Sequence, residues 1–362
     1  MDEIQMAHLR GIGFGPVLAQ RAEQLRDAVP VNAEPMRVLE VHRETLRLHR
    51  GDAQCSARVM PRLGRELEEN DTALAVGDWV LAGCDGFGAR WVHARVPPLS
   101  HIARRDGDGR CHAIVSNVDT ALLVMGLDDD FNLRRLERYL ALVHDSAVRP
   151  VVVLTKADVV ASAPGRIENC VATLHARLPM QRDVLVVNAT EPSAALALGA
   201  HLQAGHTLVL LGSSGAGKST LTNTLLGASV QDTGAVRASD HRGQHTTTSR
   251  SLFQLAGGAC VIDTPGVRTL RPIGNDAALG ASFSDIEALR VVCRFRDCRH
   301  GTEPGCAVRA SVDADRLRNY HKLLREGQRD SMSALQRREQ RSEWKARGRE
   351  GLARLRHKRG ES

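Results

Sequence analysis

The chain contains a glycine- and serine-rich segment suited to binding phosphate, Gly212-Ser213-Ser214-Gly215-Ala216-Gly217-Lys218-Ser219-Thr220. The apolar run 207–211 precedes it and the run 221–226 follows it, as in a phosphate-binding loop between a buried strand and a helix. In such a loop backbone N–H groups point at phosphate oxygens, Lys218 reaches the β- and γ-phosphates, and the Ser219 hydroxyl ligates Mg²⁺. We therefore predict that residues 212–220 bind a nucleotide and that Lys218 is a catalytic residue.

A second segment is suited to completing the magnesium site, Asp263-Thr264-Pro265-Gly266. It follows the apolar run 259–262, so that Asp263 would stand at the end of a buried strand and complete the Mg²⁺ shell, commonly through water. The backbone N–H of Gly266 could then sense the γ-phosphate. The sequence thus predicts Mg²⁺ held by Ser219 and Asp263 together with the nucleotide.

The base is predicted from Thr155-Lys156-Ala157-Asp158, which matches the [NT]-K-x-D guanine motif at the end of the run 150–154. Asp158 can accept hydrogen bonds from guanine N1–H and the 2-amino group, a donor pair that adenine lacks, while Lys156 can lie along the base. Asn188-Ala189, after the next strand, would supply a backbone N–H to guanine O6. We predict GTP rather than ATP, although Thr155 replaces the commoner asparagine.

The residue that orients the attacking water is less directly indicated. Ras-like enzymes use a glutamine just after the second switch, where this chain has Val267, which cannot hydrogen-bond to water. Nearby polar candidates are His245, in the run His245-Thr246-Thr247-Thr248, and Arg268. We favour His245 as the catalytic residue; the alternative is a loop residue that contacts RNA or only stabilises the first switch. Thr247 is expected to ligate Mg²⁺ in the GTP state.

A separate metal site is indicated by Cys293-x4-Cys298-x-His300-x5-Cys306. Three thiolates and one imidazole are the ligand set of a closed tetrahedral zinc site, so we predict one structural Zn²⁺ per chain. Coincidental clustering or a disulfide is the alternative. The five remaining cysteines are scattered and are expected to be reduced: Cys55, Cys84, Cys111, Cys170 and Cys260.

The elements that position these residues fall into successive regions. Residues 112–272 alternate strand and helix, which predicts a mostly parallel α/β sheet covered on both faces. Within this region the guanine motif precedes the phosphate-binding loop, the reverse of the Ras-like order, so the GTPase domain must be circularly permuted. A zinc-binding helical module is predicted over 273–327, and a basic tail, disordered or loosely helical, over 328–362.

The N-terminal part has a different pattern. Short alternating strands over 36–105 predict an all-β barrel of the OB type, preceded by an appendage of undefined role at 1–35. An OB-fold would bind RNA, whereas a purely structural barrel would leave its arginines solvated, and both interpretations remain open. The arginines that could contact phosphate are Arg43, Arg47, Arg50 and Arg58.

Composition bounds the partners of the 362-residue chain. Its formal net charge of +7 favours an anionic partner, and the basic tail could touch RNA. Aromatic residues make up only 3%, which argues against extensive base stacking and for phosphate contacts. No apolar run of about 18 residues and no N-terminal signal pattern are present, so we expect a soluble cytoplasmic protein without a membrane partner.

The ordered motifs over residues 36–325 resemble the RsgA (YjeQ/EngC) family of small-subunit-dependent GTPases. The resemblance rests on the guanine motif, the phosphate-binding loop, the threonine run, the second switch and the cysteine cluster, together with Gly77-Asp78-Trp79-Val80, Ser116-Asn117-Val118-Asp119 and Pro304-Gly305-Cys306. It implies a GTPase that acts late in maturation of the 30S ribosomal subunit, with hydrolysis stimulated by the subunit and coupled to release. Its implied partners are the 30S subunit, 16S rRNA and GTP or GDP, bound by a monomer. The alternative is a non-catalytic RNA-binding assembly factor that uses GTP only as a conformational clamp.

Overall fold

The computed structural model describes residues 3–105, 111–146, 148–178, 181, 183–229, 250–264 and 276–330. The N-terminal elements are α1 (Glu3–Gly11), α2 (Pro16–Glu23), β1 (Glu34–Val41), β2 (Leu46–His49), β3 (Gln54–Val59), α3 (Pro61–Glu69), β4 (Trp79–Cys84), β5 (Arg90–Arg95), β6 (His101–Arg105) and β7 (Cys111–Ser116). The central elements are β8 (Thr120–Gly126), α4 (Leu133–Asp145), β9 (Arg149–Thr155), α5 (Ala157–Val160), α6 (Arg166–Arg177), β10 (Val184–Val186), α7 (Ser193–Ala197), β11 (Thr207–Leu211), α8 (Lys218–Leu226), β12 (Ser251–Gln254) and β13 (Cys260–Asp263). The C-terminal elements are α9 (Asp276–Ser282), α10 (Ser284–Arg290), α11 (Ala307–Ser311) and α12 (Ala314–Asp330).

The first sheet closes into a barrel in the order β1-β2-β3-β5-β4. β1 pairs antiparallel with both β2 and β4, whereas β3 and β5 run parallel. Inward-facing Val38, Leu48, Val80 and Val92 are completely buried, because alternate residues of each strand point into the barrel. This five-stranded, OB-like barrel confirms the predicted barrel, whereas helix α3 between β3 and β4 was not predicted.

The second sheet carries the nucleotide motifs. Among the described residues it has six strands in the order β10-β9-β8-β11-β13-β12, all parallel except the edge strand β12. The chain therefore forms one half of the sheet, β8 to β10, before it enters the central strand β11 that leads to the phosphate-binding loop. This topology confirms the circularly permuted GTPase fold.

Helices α1 and α2 pack between the barrel and the GTPase sheet. Leu9, Ile12 and Phe14 are buried in a core shared with both, and the Phe14 ring lies 4.6 Å from that of Trp79. The fully buried Arg37 of β1 donates to the Ile12 carbonyl oxygen, to Asn117 O (3.1 Å) and to Thr207 Oγ1 (2.7 Å). The N-terminal segment, whose role the sequence left undefined, thus contributes to the junction of two larger units.

The segments that begin at Gly77 and Ser116, both quoted above for the family resemblance, meet at the same junction. Gly77 has φ +90°, and a Cβ atom there would lie 2.1 Å from the Ser116 carbonyl oxygen, so only glycine fits. Asn117, with φ 54°, donates from its amide to the Gly77 carbonyl oxygen at 3.0 Å. The barrel and the GTPase sheet are therefore joined by close backbone contact as well as by the chain.

The C-terminal helices pack against α4 of the GTPase domain. Their core contains Phe283, Ile286 and Leu323, in contact with Ala141 of α4. The module is thus anchored to a helix that begins near the nucleotide motifs.

Candidate nucleotide site and metal centre

The phosphate-binding loop follows β11 with the close packing that its glycines allow. A Cβ atom at Gly212 would lie 2.4 Å from the Val124 carbonyl oxygen, and Gly215 and Gly217 have φ +82° and +89°. The buried Lys218 starts α8, and its Nζ donates to Ser213 O at 2.7 Å. Burial lowers the pKa of Lys218, and the nearby Asp263 carboxylate counters that effect. The ammonium group is thus held inside the loop, a position suited to contact with phosphate oxygens.

The predicted magnesium ligands lie together, Ser219 in the first turn of α8 and Asp263 at the end of β13. Ser219 Oγ donates to Asp263 Oδ2 at 3.1 Å, and Asp263 is almost completely buried. Its Oδ1 has no hydrogen-bond partner among the described residues, and burial raises the pKa of the carboxyl group. A buried carboxylate with a free oxygen beside a serine hydroxyl fits an oxygen-coordinated cation, so the residues present are suited to Mg²⁺.

The guanine motif is tied directly to the phosphate-binding loop. Thr155 Oγ1 donates to the Ala216 carbonyl oxygen at 2.7 Å, so this side chain joins the end of β9 to the phosphate-binding loop. Lys156 adopts a left-handed backbone (φ 61°), and its Nζ contacts Asp128 Oδ2 at 2.7 Å. Ala157 begins the short helix α5, and Asp158 in its first turn has an exposed carboxylate.

The second predicted guanine contact lies on the loop after β10. Asn188 Oδ1 accepts hydrogen bonds from the Thr190 backbone N–H (3.1 Å) and hydroxyl (2.8 Å). The Ala189 carbonyl oxygen accepts from Thr224 Oγ1 of α8 at 2.6 Å. The loop is therefore fixed both by its own turn and by the helix of the phosphate-binding loop.

Two residues of this site were not found by sequence reasoning, Asp128 and Asp130. Asp130 accepts from Ser213 Oγ at 2.6 Å and from the Gly126 backbone N–H at 3.2 Å, and it pairs with Arg135 at 2.5 Å. An acidic run directly after a buried strand was the available signal, because the carboxyl ends of parallel strands share one edge of a sheet.

The cysteine cluster has the geometry of a metal centre. The ligand atoms of Cys293, Cys298, His300 and Cys306 all lie within 4.8 Å of one another. His300 Nδ1 lies 3.7 Å from Cys293 Sγ and 3.5 Å from Cys306 Sγ. Zinc–sulfur bonds of about 2.3 Å in a tetrahedron place ligand atoms about 3.8 Å apart. The four residues therefore fit Zn²⁺, with Nδ1 as the imidazole ligand and no position left for water.

The predicted arginines of the barrel differ in whether they form ion pairs within the chain. Two of the barrel arginines have acidic partners in the chain: Arg47 contacts Glu40 at 3.1 Å and Arg50 contacts Asp52 at 2.8 Å. Arg43 and Arg58 are exposed.

Several predicted residues lie outside the described residues: His245, Thr247, Gly266, Arg268 and most of the basic tail.

Comparison with known proteins identifies the family. A family model described as RsgA GTPase matches residues 96–272. A Xanthomonas axonopodis pv. citri protein described as small ribosomal subunit biogenesis GTPase RsgA is 44% identical over 329 residues, 88% of each chain. A relative with the same description from Xanthomonas oryzae pv. oryzae is 45% identical over 299 residues, 80% of each chain. This chain belongs to the RsgA GTPase family.

Solved structures agree with the RsgA fold. YjeQ from Thermotoga maritima superposes with a TM-score of 0.58 at 21% identity, over 82% of this chain and 98% of that one. YloQ, described as a circularly permuted GTPase, gives 0.56 at 20% identity, over 83% and 97%. At this identity the likeness concerns the fold alone.

Membership of the RsgA GTPase family makes the chain an enzyme that hydrolyses GTP. None of the helices in the described ranges is long and apolar enough to cross a membrane.

Proposed function

We propose that the chain acts on the 30S ribosomal subunit late in its maturation, with GTP hydrolysis stimulated by the subunit and coupled to release. The observation that carries the proposal is the contact between the guanine motif and the phosphate-binding loop, in a chain 44% identical to a protein described as a small-subunit biogenesis GTPase. Thr155 joins the guanine motif to the phosphate-binding loop, and Ser219 lies against Asp263. The presence of Lys218, Ser219 and Asp263 favours an enzyme over a non-catalytic clamp.

Each residue of the site has a proposed role in hydrolysis of GTP to GDP and phosphate. Asp158, Lys156 and the Asn188-Ala189 loop bind guanine, and the 212–220 loop binds the phosphates. Lys218 stabilises charge on the β- and γ-phosphates. Mg²⁺, held by Ser219, Asp263 and Thr247, would neutralise charge between those phosphates.

We assign orientation of the attacking water to His245 and sensing of the γ-phosphate to Gly266. His245→Ala should bind GTP normally, hydrolyse it slowly even with 30S subunits, and remain on the particle. Turnover at the unmutated rate with subunits present would instead favour Arg268 or an rRNA group.

The flanking modules supply the proposed contacts to 16S rRNA. The barrel and the zinc module, with one structural Zn²⁺, both pack against the GTPase domain, so nucleotide state can set their relative orientation. The chain leads from the second switch to the zinc module within about 30 residues, and the basic tail adds positive charge. We propose a monomer that works in the cytoplasm.

Phosphate release measured with and without 30S subunits tests the proposal. We expect stimulation by the subunit, and Lys218→Ala should remove it because the γ-phosphate loses its cation. Absence of hydrolysis in both conditions would favour the clamp.

Nucleotide-dependent binding tests the coupling. A non-hydrolysable GTP analogue should tighten binding to 30S subunits about tenfold over GDP, or about 1.4 kcal/mol. Equal affinity in the two states would contradict coupled release.

A further inference from the structure

The loop after β10 uses the Asn188 side chain for its own turn. Asn188 Oδ1 accepts hydrogen bonds from the Thr190 backbone N–H and hydroxyl, and Asn188 Nδ2 donates to Glu191 Oε1 at 2.9 Å. Both ends of this side-chain amide are therefore occupied within the loop. Contact with a base is left to backbone groups, and the Ala189 N–H is the group proposed above for that contact.

The Thr224 hydroxyl on α8 holds the same loop from outside. Thr224 Oγ1 donates to the Ala189 carbonyl oxygen at 2.6 Å, and Ala189 is only 5% exposed. A threonine in a helix can instead donate to the carbonyl four residues earlier in its own helix, as Thr173 does to Asn169 O in α6. The Thr224 hydroxyl thus joins two elements that are 35 residues apart in the chain.

Helix α8 also carries the end of the phosphate-binding loop. It begins at Lys218, and Thr224 lies about 9 Å further along the helix, at about 1.5 Å per residue. Ala189, Ala216 and Leu221 share one buried core, so that the loop after β10 packs against the phosphate-binding loop and α8. One helix therefore supports both the phosphate loop and the loop assigned to the base.

This arrangement restricts the direction of one backbone donor. The N–H and the carbonyl of Ala189 flank the same Cα atom, so a hydrogen bond that fixes the carbonyl also limits where the N–H points. We propose that Thr224 is a positioning residue for guanine specificity, whose hydroxyl keeps the Ala189 N–H directed at guanine O6. This role rests on the guanine-binding function proposed for the loop, and it adds a residue that lies outside the guanine motif.

Competition against a fluorescent GDP tests the proposal, with GDP, 6-thio-GDP and IDP as competitors. 6-Thio-GDP keeps N1–H and the 2-amino group but replaces O6 by sulfur, a weaker acceptor, whereas IDP keeps O6 and lacks the 2-amino group. The unmutated chain should bind GDP about tenfold more tightly than 6-thio-GDP, because a buried donor loses its acceptor. Thr224→Val should reduce that preference to about twofold or less. Its preference for GDP over IDP should be unchanged, since the 2-amino group is assigned to Asp158.

Thr222→Val is the matched control, because it makes the same substitution in the same helix. The Thr222 side chain is completely buried, and its hydroxyl has no hydrogen-bond partner among the described residues. Threonine and valine are both β-branched, so helix propensity is nearly the same in each variant. Thr222→Val should keep both nucleotide preferences, as should Thr224→Ser, which retains the hydroxyl. Asp158→Asn should give the opposite pattern, with loss of the preference for GDP over IDP.

A purely structural role of Thr224 predicts a different result. General loosening of the site would weaken all three competitors by the same factor and leave both preferences intact, and this outcome would overturn the proposal. Equal affinity of the unmutated chain for GDP and 6-thio-GDP would also overturn it, because O6 would then have no donor. Stimulation of the unmutated enzyme by 30S subunits is measured separately. If stimulation is present and Thr224→Val keeps its preference for GDP over 6-thio-GDP, this inference fails alone; the reverse pattern removes the proposed action on 30S subunits and leaves the role of Thr224.

Discussion

At the scale of single residues, the nucleotide site depends on short side chains that connect neighbouring loops. The Thr155 hydroxyl reaches the Ala216 carbonyl oxygen, and Asp130 receives the Ser213 hydroxyl. The first contact joins the end of β9 to the phosphate-binding loop, and the second joins the loop after β8 to it. The guanine motif and the phosphate-binding loop are therefore connected directly by side-chain hydrogen bonds.

Thr155→Val tests this connection, because it keeps the shape of the side chain and removes the hydroxyl. The Ala216 carbonyl oxygen loses a buried donor, which costs about 1–3 kcal/mol. We expect affinity for GTP and GDP to fall together, by about tenfold, in titrations with fluorescent nucleotides. Thr155→Ser, which keeps the hydroxyl, is the control; unchanged affinity of the valine variant would show that the tether is dispensable.

A second residue-scale feature is the neutral histidine at the barrel junction. His101 Nδ1 lies 2.8 Å from Ser116 Oγ and 3.3 Å from Arg95, which also pairs with buried Asp78. Burial, and then the charge of Arg95, lowers the pKa of His101 from 6.5 to about 4. The proton therefore binds more tightly to the unfolded chain, and the stability that depends on neutral His101 is present above pH 6.5 and lost as the pH falls toward 4.

This linkage predicts that lowering the pH from 7 to 5 removes about 2 kcal/mol of unfolding free energy through His101. His101→Gln should show a correspondingly smaller loss over the same interval, measured by denaturant unfolding at each pH. Parallel pH profiles for the variant and the unmutated chain would mean that His101 titrates normally in the folded protein.

At the scale of elements, α4 connects the nucleotide site to the zinc module. Near its N-terminus Arg135 pairs with Asp130. Two residues further the fully buried Glu137 pairs with Arg177 of α6 and Arg316 of α12, both at 2.7 Å. Arg316 also contacts Asp285 of α10. These ion pairs connect α4 to the C-terminal module. They add to the covalent connection through the segment that follows the second switch.

Glu137→Gln should destabilise this interface strongly, because Arg177 and Arg316 lose their shared buried counter-charge. Breaking one partner of a buried pair costs about 3–5 kcal/mol. The thermal unfolding midpoint of the C-terminal module should therefore fall well below that of the unmutated chain. Arg134→Gln is the control: this arginine pairs with Asp315 from a side chain 55% exposed, so its loss should cost about 1 kcal/mol or less. Equal midpoints for the two variants would contradict a special role for Glu137.

At the scale of the whole molecule, the zinc centre and the nucleotide site lie on different elements. The metal ligands come from the segment between α10 and α11, whereas the nucleotide motifs follow β9, β10, β11 and β13. The C-terminal module is small, so metal binding contributes much of its folding free energy. Loss of zinc should therefore destabilise the C-terminal module more than the nucleotide site.

The purified protein should contain about one Zn²⁺ per chain, and chelation should unfold the C-terminal module while GTP binding survives. Elemental analysis, thermal unfolding and nucleotide titration on the same sample check the three parts. Cys298→Ser should reproduce the effect without chelator. A zinc-free chain that unfolds at the same temperature and retains its affinity for 30S subunits would contradict a structural metal.

Much of the site followed from the sequence because its motifs are local. The spacing from Gly212 to Ser219 sets the backbone of one loop, and the four metal ligands fall within one short segment, so both could be recognised without a fold. The order of the guanine motif and the phosphate-binding loop also determined the permutation, since one sheet had to be assembled from a reordered chain. The family resemblance rested on these same ordered motifs.

The tertiary structure alone decided which distant residues support these motifs. Arg37 meets Thr207 across 170 residues, and Glu137 meets Arg316 across 179. In the sequence each of these charged residues is indistinguishable from a solvated one, because burial and pairing arise only when separate elements pack together. Local spacing specifies chemistry within a loop, whereas burial and charge pairing between elements are properties of the packed chain.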